Sequence, residues 1–330
     1  MINLQKKNII SYAKYGYLFS IPFIVVFFIF TLYPTLYTAL LGFTDSRGLG
    51  NINFNFLDDP FENFKSVLGN QSLRNAFVNT FLIWILNFIP QISLALLLAA
   101  WFTNRRTKIR GIGFFKVLFY MPNIITAASV AILFSVLFGF PIGPINSLLQ
   151  SMGFEWAPFQ FLDVPWASRW IVIFIQFWIW YGYTMIIFIA GVNGINPELF
   201  EAADIDGASS AQQFFRITLP NLKMVLLFIL VTSLIGGLNV FDIPRLFNWG
   251  GPDAATTTIS VFIFNWAFTN RYMYGMAAAA SMILFVVVAV LSSTLFFVLR
   301  DSGAAKIRKE ERNLRMNLRR AGKNQEGAAV

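Results

Sequence analysis

The chain has 330 residues, of which 57% are hydrophobic and only 12% charged, and its mean hydropathy is +0.62. Soluble domains carry roughly a quarter charged residues, so the composition excludes an ordinary soluble domain and indicates an integral membrane protein. Cysteine and histidine are both absent, which excludes disulfides, cysteine nucleophiles, the usual zinc ligand sets and histidine acid–base chemistry. The formal net charge of +9 raises nucleic acid as a partner, and the placement of the cations decides that question.

Six apolar runs predict helices long enough to cross hydrocarbon, which takes about 20 residues: 17–43, 76–102, 114–138, 170–192, 224–241 and 276–299. Lys6, Lys7 and Lys14 precede the first run as they would in a signal peptide. The run is too long for a secretory apolar region and no small-residue cleavage site follows it, so it is expected to be a retained first span. The fifth run is the weakest, because Gly236-Gly237 interrupts it and Asp242 follows soon after. A seventh run, 259–268, is too short to span and is expected at the outer surface or as a re-entrant piece.

With the N-terminus inside, the inner segments 1–15, 103–116, 193–223 and 300–330 carry 3, 5, 2 and 9 Lys or Arg. The outer segments together carry 6, while acidic residues divide 8 to 8. Cations rather than net charge orient spans, so both termini are expected in the cytoplasm. The tail cluster Lys306, Arg308, Lys309, Arg312, Arg315, Arg319, Arg320 and Lys323 then serves as an anchor at anionic lipid, in preference to a nucleic-acid tail.

The polar segment 193–223 is far longer than most connections between packed helices. Asn196-Pro197-Glu198 is a helix start, with Asn as cap, Pro at the first helical position and Glu complementing the dipole. The helix is expected to run through Glu201 and Ala203, with Leu199 and Ala203 on one face. Gly207 permits a left-handed exit, and Ser209 or Ser210 caps a second short helix, 211–217, that Pro220 ends. An amphipathic connector lying on the membrane would also be polar here but would need no Glu-Ala-Ala.

The spacing of Glu201-Ala202-Ala203, then Gly207, then Ile217-Thr218-Leu219-Pro220 resembles the loop that marks permease subunits of binding-protein-dependent ABC importers. Further similarity lies in Phe241-Asp242, Gly250-Gly251-Pro252 with 256–258, Tyr274-Gly275-Met276 running into 277–281, and 143–146. It covers roughly 76–299 and is nearest to the maltose and oligosaccharide branch, although Phe134 stands where many relatives have Trp. The resemblance implies an all-α polytopic membrane protein with six transmembrane helices, of the type I importer permease fold. It implies a permease that binds no ATP, with ATP and Mg²⁺ held by two partner ATPase subunits that receive the loop. Glu201, Ala202, Ala203, Gly207, Ile217, Leu219 and Pro220 would then be mechanical couplers. The chain agrees in lacking a Gly-x4-Gly-Lys-Ser/Thr phosphate loop. Glu198 and Asp204 are expected to be solvated helix charges. A second permease, an extracytoplasmic solute-binding protein and a sugar complete the implied assembly, with 139–168 and 242–275 as docking surfaces for the binding protein.

Gln176, Ile179, Trp180 and Tyr183 share one face of the fourth span by helical periodicity, as do Ser233, Gly236, Gly237 and Val240 in the fifth. In maltose-type permeases the aligned positions line the sugar path, and aromatic faces with Gln and Ser suit sugar CH surfaces and hydroxyls. Close helix packing and a core role for the aromatics remain the alternative. Trp180 is bulky where that branch can carry a small residue, so the pocket's shape and substrate can differ.

An ion-coupled secondary transporter would need ionisable groups inside the membrane, and none lies within the six runs apart from Lys116 at an edge. A membrane-embedded enzyme would need carboxylate pairs or a metal set at depth, also missing. An importer of a non-sugar solute stays open. An anionic solute would favour an intramembrane Arg or Lys, so a neutral one is expected. The chain therefore divides into 1–75 (inner segment, first span and outer loop), a core of 76–299 containing the loop 193–223, and a basic tail of 300–330.

Overall fold

The computed structural model describes residues 13–48, 54–107, 109–269, 272–299 and 312. Lys6, Lys7, Lys108 and the basic tail other than Arg312 lie outside the described residues. In chain order the elements are α1 (Ala13–Phe27), a π-turn (Phe28–Leu32), α2 (Tyr33–Leu41), α3 (Glu62–Leu68), α4 (Gln71–Thr103), α5 (Ile112–Ile124), α6 (Ala127–Leu137) and α7 (Pro144–Ser151). There follow α8 (Pro165–Asn193), α9 (Pro197–Ile205), α10 (Ser210–Gln213), a second π-turn (Phe214–Thr218), α11 (Leu219–Asn221), α12 (Lys223–Leu238), α13 (Asp242–Asn248), α14 (Ile259–Phe268) and α15 (Tyr274–Leu299). Among the described residues the only extended pairing is two isolated bridges, Thr44–Phe56 and Arg47–Met273.

Among the described residues five helical stretches are long and apolar enough to span: Tyr15–Leu41, Gln71–Thr103, Pro165–Asn193, Lys223–Asn248 and Tyr274–Leu299. The sixth expected span, 114–138, is a broken pair, α5 and α6, bent by 88°. Local chemistry sets the break. Pro122 removes a donor from the last turn of α5, and Ile125 turns extended (φ −74°, ψ 136°). Thr126 then caps α6 by accepting from the Ser129 N–H at 3.2 Å. The fifth span is not interrupted at Gly236-Gly237: α12 runs through both and stops at Asn239. The run 259–268 forms α14, a ten-residue helix in which Ile259, Val261, Phe262, Trp266 and Ala267 are buried.

Both π-turns stand directly before an X-Pro pair. Tyr33 N–H bonds to Phe28 O, and Leu219 N–H to Phe214 O, each closing the wider ring just ahead of Pro34 and Pro220. A proline in a helix removes one donor and crowds the carbonyl four residues back; the local widening absorbs both effects. In each case the next residue's side chain bonds a carbonyl of the widened turn, Thr35 to Thr31 O and Asn221 to Ile217 O, both at 2.7 Å.

The chain forms two compact units, 1–73 with 262–285, and 74–261 with 286–330. In the first, no residue of the Tyr15–Leu41 apolar window is buried. Asn63 of α3 is buried and donates to Gly42 O and Thr44 O at 3.0 and 2.9 Å, and the Gly275 N–H at the start of α15 reaches Ser46 O at 3.1 Å.

In the second unit α8 is central, with 61% of its apolar window buried against 28% for α4. The C-terminal half of α8 (Tyr181, Met185, Phe188, Ile189, Val192) packs with Phe88, Leu98 and Phe102 of α4 and Ile229 of α12. The N-terminal half (Ile171, Val172, Ile175, Ile179) packs with Val130, Ala131 and Phe134 of α6 and Ile243 and Phe247 of α13. Phe134 is thus a core residue, 5.8 Å from the Trp178 ring. Gly182 lets α5 touch α8 backbone to backbone, since a Cβ there would sit 1.9 Å from Phe119 O. Arg169 of α8 donates to Ala255 O (3.0 Å) and Asn79 Oδ1 (3.1 Å), and Asn79 donates to Ala254 O (2.8 Å), so the 254–257 loop is tied to α4 and α8.

Candidate functional site: a surface segment and a membrane cavity

The segment after α8 is built largely as its residues dictate. Asn196 Oδ1 accepts from the Glu198 N–H at 3.1 Å, and Pro197 starts α9 where no donor is needed. The end of α9 is a Schellman motif: Ala208 N–H bonds to Ala203 O at 2.9 Å and Gly207 N–H to Asp204 O at 3.1 Å, with Gly207 at φ +72°. A Cβ on Gly207 would meet nothing within 4 Å, so the demand there is for the left-handed backbone alone. Ser209 and Gln212 then form a capping box, with bonds of 3.2 and 2.7 Å.

The second short helix departs from expectation. It starts at Ser210, and Pro220 does not end it. The π-turn Phe214–Thr218 accommodates the proline, so helical backbone continues through α11 to α12 with only a turn at Leu222. Glu201, Ala202, Gly207 and Pro220 are exposed, whereas Ala203, Ile217 and Leu219 are half-buried. These residues present a surface instead of closing around a pocket. Beside them lies a groove of about 730 Å³ between the last turns of α4 and this segment, lined by Leu97, Trp101, Phe200, Phe214 and Phe215 among others.

Asp204 is more than a solvated charge. Its Oδ1 accepts from Arg106 Nη2 at 2.5 Å and Gln213 Nε2 at 2.7 Å. These bonds, Arg106 first, hold its carboxyl below the ordinary value of 3.8. The sequence could not reveal the partner, 98 residues away in the chain. Glu201 faces Arg105 at 3.5 Å, and the Arg105 guanidinium lies over the Phe200 ring, 5.6 Å from its centroid.

All eight residues assigned to the two helix faces line one cavity of about 440 Å³: Gln176, Ile179, Trp180 and Tyr183 from α8, Ser233, Gly236 and Gly237 from α12, and Val240 just beyond it. The Trp180 and Tyr183 rings meet edge to face at 5.8 Å. Gln176 is only 7% exposed and makes no hydrogen bond to any described residue, leaving its amide facing the cavity.

Periodicity in α4 was the missed signal: Trp84, Asn87 and Gln91, spaced three and four apart within an apolar run, line the same cavity. Trp84 Nε1 donates to Ser233 Oγ at 3.1 Å, and Gln91 Nε2 donates to Thr184 Oγ1 at 2.8 Å. Asp242 is the one charged residue of the lining, and no Lys or Arg reaches it. Among the described residues no group of three or more acidic side chains gathers to hold a metal ion.

Comparison with known proteins gives one answer across the chain. Residues 67–309 match the family model described as binding-protein-dependent transport system inner membrane component. The lactose transport system permease protein LacF of Rhizobium radiobacter is 32% identical over 294 residues, covering 88% of this chain and 95% of the relative. The trehalose/maltose transport system permease protein MalF of Thermococcus litoralis is 30% identical over 302 residues, 90% of this chain and 96% of that protein. Among solved structures, a chain of the bacterial ABC transporter that imports the acidic polysaccharide alginate superposes with a TM-score of 0.73 at 25% identity, covering 87% of this chain and 95% of that one. A second structure of the alginate transporter, in complex with its pentasaccharide-bound periplasmic protein, matches with a TM-score of 0.74. The chain belongs to the family of binding-protein-dependent transport system inner membrane components and is a polytopic permease subunit of an ABC importer, not an enzyme.

Proposed function

We propose that this permease moves a neutral sugar or short oligosaccharide through the cavity between α4, α8 and α12. The observation that carries the reading is Gln176, a side chain only 7% exposed whose amide opens on the cavity with no hydrogen bond to any described residue, set among Trp84, Trp180 and Tyr183. Buried polar groups without partners are rare in finished cores, whereas binding sites keep a few in apolar surroundings. A volume of about 440 Å³ falls within the range of small-molecule sites. The lactose and trehalose/maltose relatives support a sugar. The lining supports a neutral solute, because Asp242 is its one charged residue and no Lys or Arg stands there to pair with an anion.

The same proposal extends to the assembly. The surface of α9 with Glu201, Ala202, Ala203 and Gly207, continuing to Ile217, Leu219 and Pro220, docks on one of two ATPase subunits that hold ATP and Mg²⁺. The segment from α9 to α11 and both termini belong on the cytoplasmic side, a reading that the cation bias of the sequence supports. A second permease and lipid cover the exposed Tyr15–Leu41 helix, which has no buried residue in its apolar window. The solute-binding protein docks at the outer segments 139–168 and 242–275.

The test is purification of the subunit from its native membrane, identification of what accompanies it, and reconstitution into vesicles. ATP-dependent uptake of a neutral saccharide by a complex containing an ATPase, a second permease and a binding protein supports the reading. Uptake of acidic saccharides alone rejects the neutral substrate. Uptake without ATP rejects the importer mechanism.

A further inference from the structure

Alpha9 has no buried residue, and neither has α10; in the following π-turn only Thr218 is buried. Nine residues of helix are marginal alone, so something other than core packing must set the direction of α9. The polar contacts from the turn after α4 do so. Arg106 Nη2 bonds to Asp204 Oδ1 at 2.5 Å, on the last turn of α9, and to Ala208 O at 2.8 Å, beyond Gly207. Gln213 of α10 shares that carboxylate oxygen at 2.7 Å. One guanidinium therefore ties the end of α9, the Gly207 turn and, through Asp204, α10. Arg106 is itself held, since its N–H bonds to Asn104 Oδ1 at 3.0 Å and the Asn104 N–H reaches Trp101 O of α4 at 3.4 Å. Arg105 lies alongside, on Phe200 and Glu201.

We propose that Arg106 is a positioning residue that locks the α9–α10 segment to the end of α4, so that displacement of the docking surface moves α4, and with it the Trp84 wall of the cavity. The lock deepens the docking role given above and rests on it for its part in transport. Exposed ion pairs taken singly add little stability, so the role is geometric: a planar fork with several acceptors fixes an angle that a point charge does not.

The chain has no cysteine, which permits clean spin labelling of Leu97→Cys on α4 and Ile205→Cys on α9, both exposed. The purified complex gives a distance distribution between the labels with and without ATP and vanadate. The unaltered lock yields one narrow distribution in both states. Arg106→Ala broadens it and lowers sugar uptake per ATP hydrolysed about fivefold, as expected for a coupled network. The charge exchange Arg106→Asp with Asp204→Arg narrows it again. A distribution that stays narrow in Arg106→Ala overturns the lock. Broadening that the exchange fails to reverse, with unchanged uptake per ATP, overturns it as well. If no ATPase accompanies the subunit, the docking reading fails, while the distance comparison on the subunit alone still decides the lock.

Discussion

The indole of Trp84 occupies the space that a side chain at position 237 would need: a Cβ on Gly237 would lie 2.1 Å from Cδ1 and 3.0 Å from Nε1. The same indole donates to Ser233 one helical turn earlier, at 3.1 Å. The glycine doublet that looks in sequence like an interruption of the fifth span is thus the seat of a tryptophan from the second.

Gly237→Ala is expected to destabilise the protein by about 1–3 kcal/mol, the usual cost of overpacking a filled site. Trp84→Phe in the same chain should recover part of it, because a smaller ring clears the added methyl. Thermal unfolding in detergent of the two single variants and the double variant checks this. Equal losses in Gly237→Ala with and without Trp84→Phe would show that the indole is not the obstacle.

Gln176→Ala should weaken saccharide uptake by roughly fivefold, the equivalent of one hydrogen bond of about 1 kcal/mol, and leave thermal stability nearly unchanged. Concentration dependence of uptake in vesicles measures the first and unfolding midpoints the second. A large loss of stability with normal apparent affinity would make Gln176 a structural amide.

Gly207→Val forces a β-branched residue to φ +72°. The expected penalty is about 1–2 kcal/mol, confined to the turn because no atom crowds the site. Glu201 replaced by Trp perturbs the same exposed surface without touching the backbone. Both variants should insert in the membrane normally and lose transport and stimulated ATP hydrolysis. Normal uptake in both would remove the docking role from this surface.

Asp204 gives the segment a pH dependence of defined sign. Its folded-state carboxyl titrates below the ordinary value of 3.8 because Arg106 and Gln213 bond to the charged form. The contribution is therefore complete above that value and disappears as pH falls through the lower folded-state value. Between neutral pH and pH 5 the segment should resist limited proteolysis equally. Susceptibility should rise only in more acid solution, and Asp204→Asn should show the raised level throughout. A transition near neutrality would assign the effect to another group.

Much of the local chemistry was legible in the sequence. The caps Asn196 and Ser209, the left-handed Gly207, the long apolar runs and the helix faces that meet at the cavity all follow from spacing and side-chain type. What escaped depends on partners far away in the chain. Arg106 counted only as an inner cation until Asp204 stood beside it, and Trp84 was one apolar residue among many until Gly237 made room for it. Pro220 and Pro122 show a further limit. The first is carried through a widened turn and the second precedes a break, and the difference lies in the next residues: Asn221 returns a donor to the helix, whereas Ile125 turns extended and Thr126 begins a new one.

The 88° break between α5 and α6 has a consequence for solvent. Extended residues at membrane depth forgo the helical ladder, and hydrocarbon cannot replace the missing bonds. Ala127, directly after the break, lines the cavity, and Asn123, just before it, donates to Ile179 O at 3.3 Å beside it. The broken ladder is therefore where water is expected to reach into the protein. Amide hydrogens around 125–127 should exchange with deuterium far faster than those of α8, and a sugar entering there would leave bulk water for a wetted groove and never meet lipid.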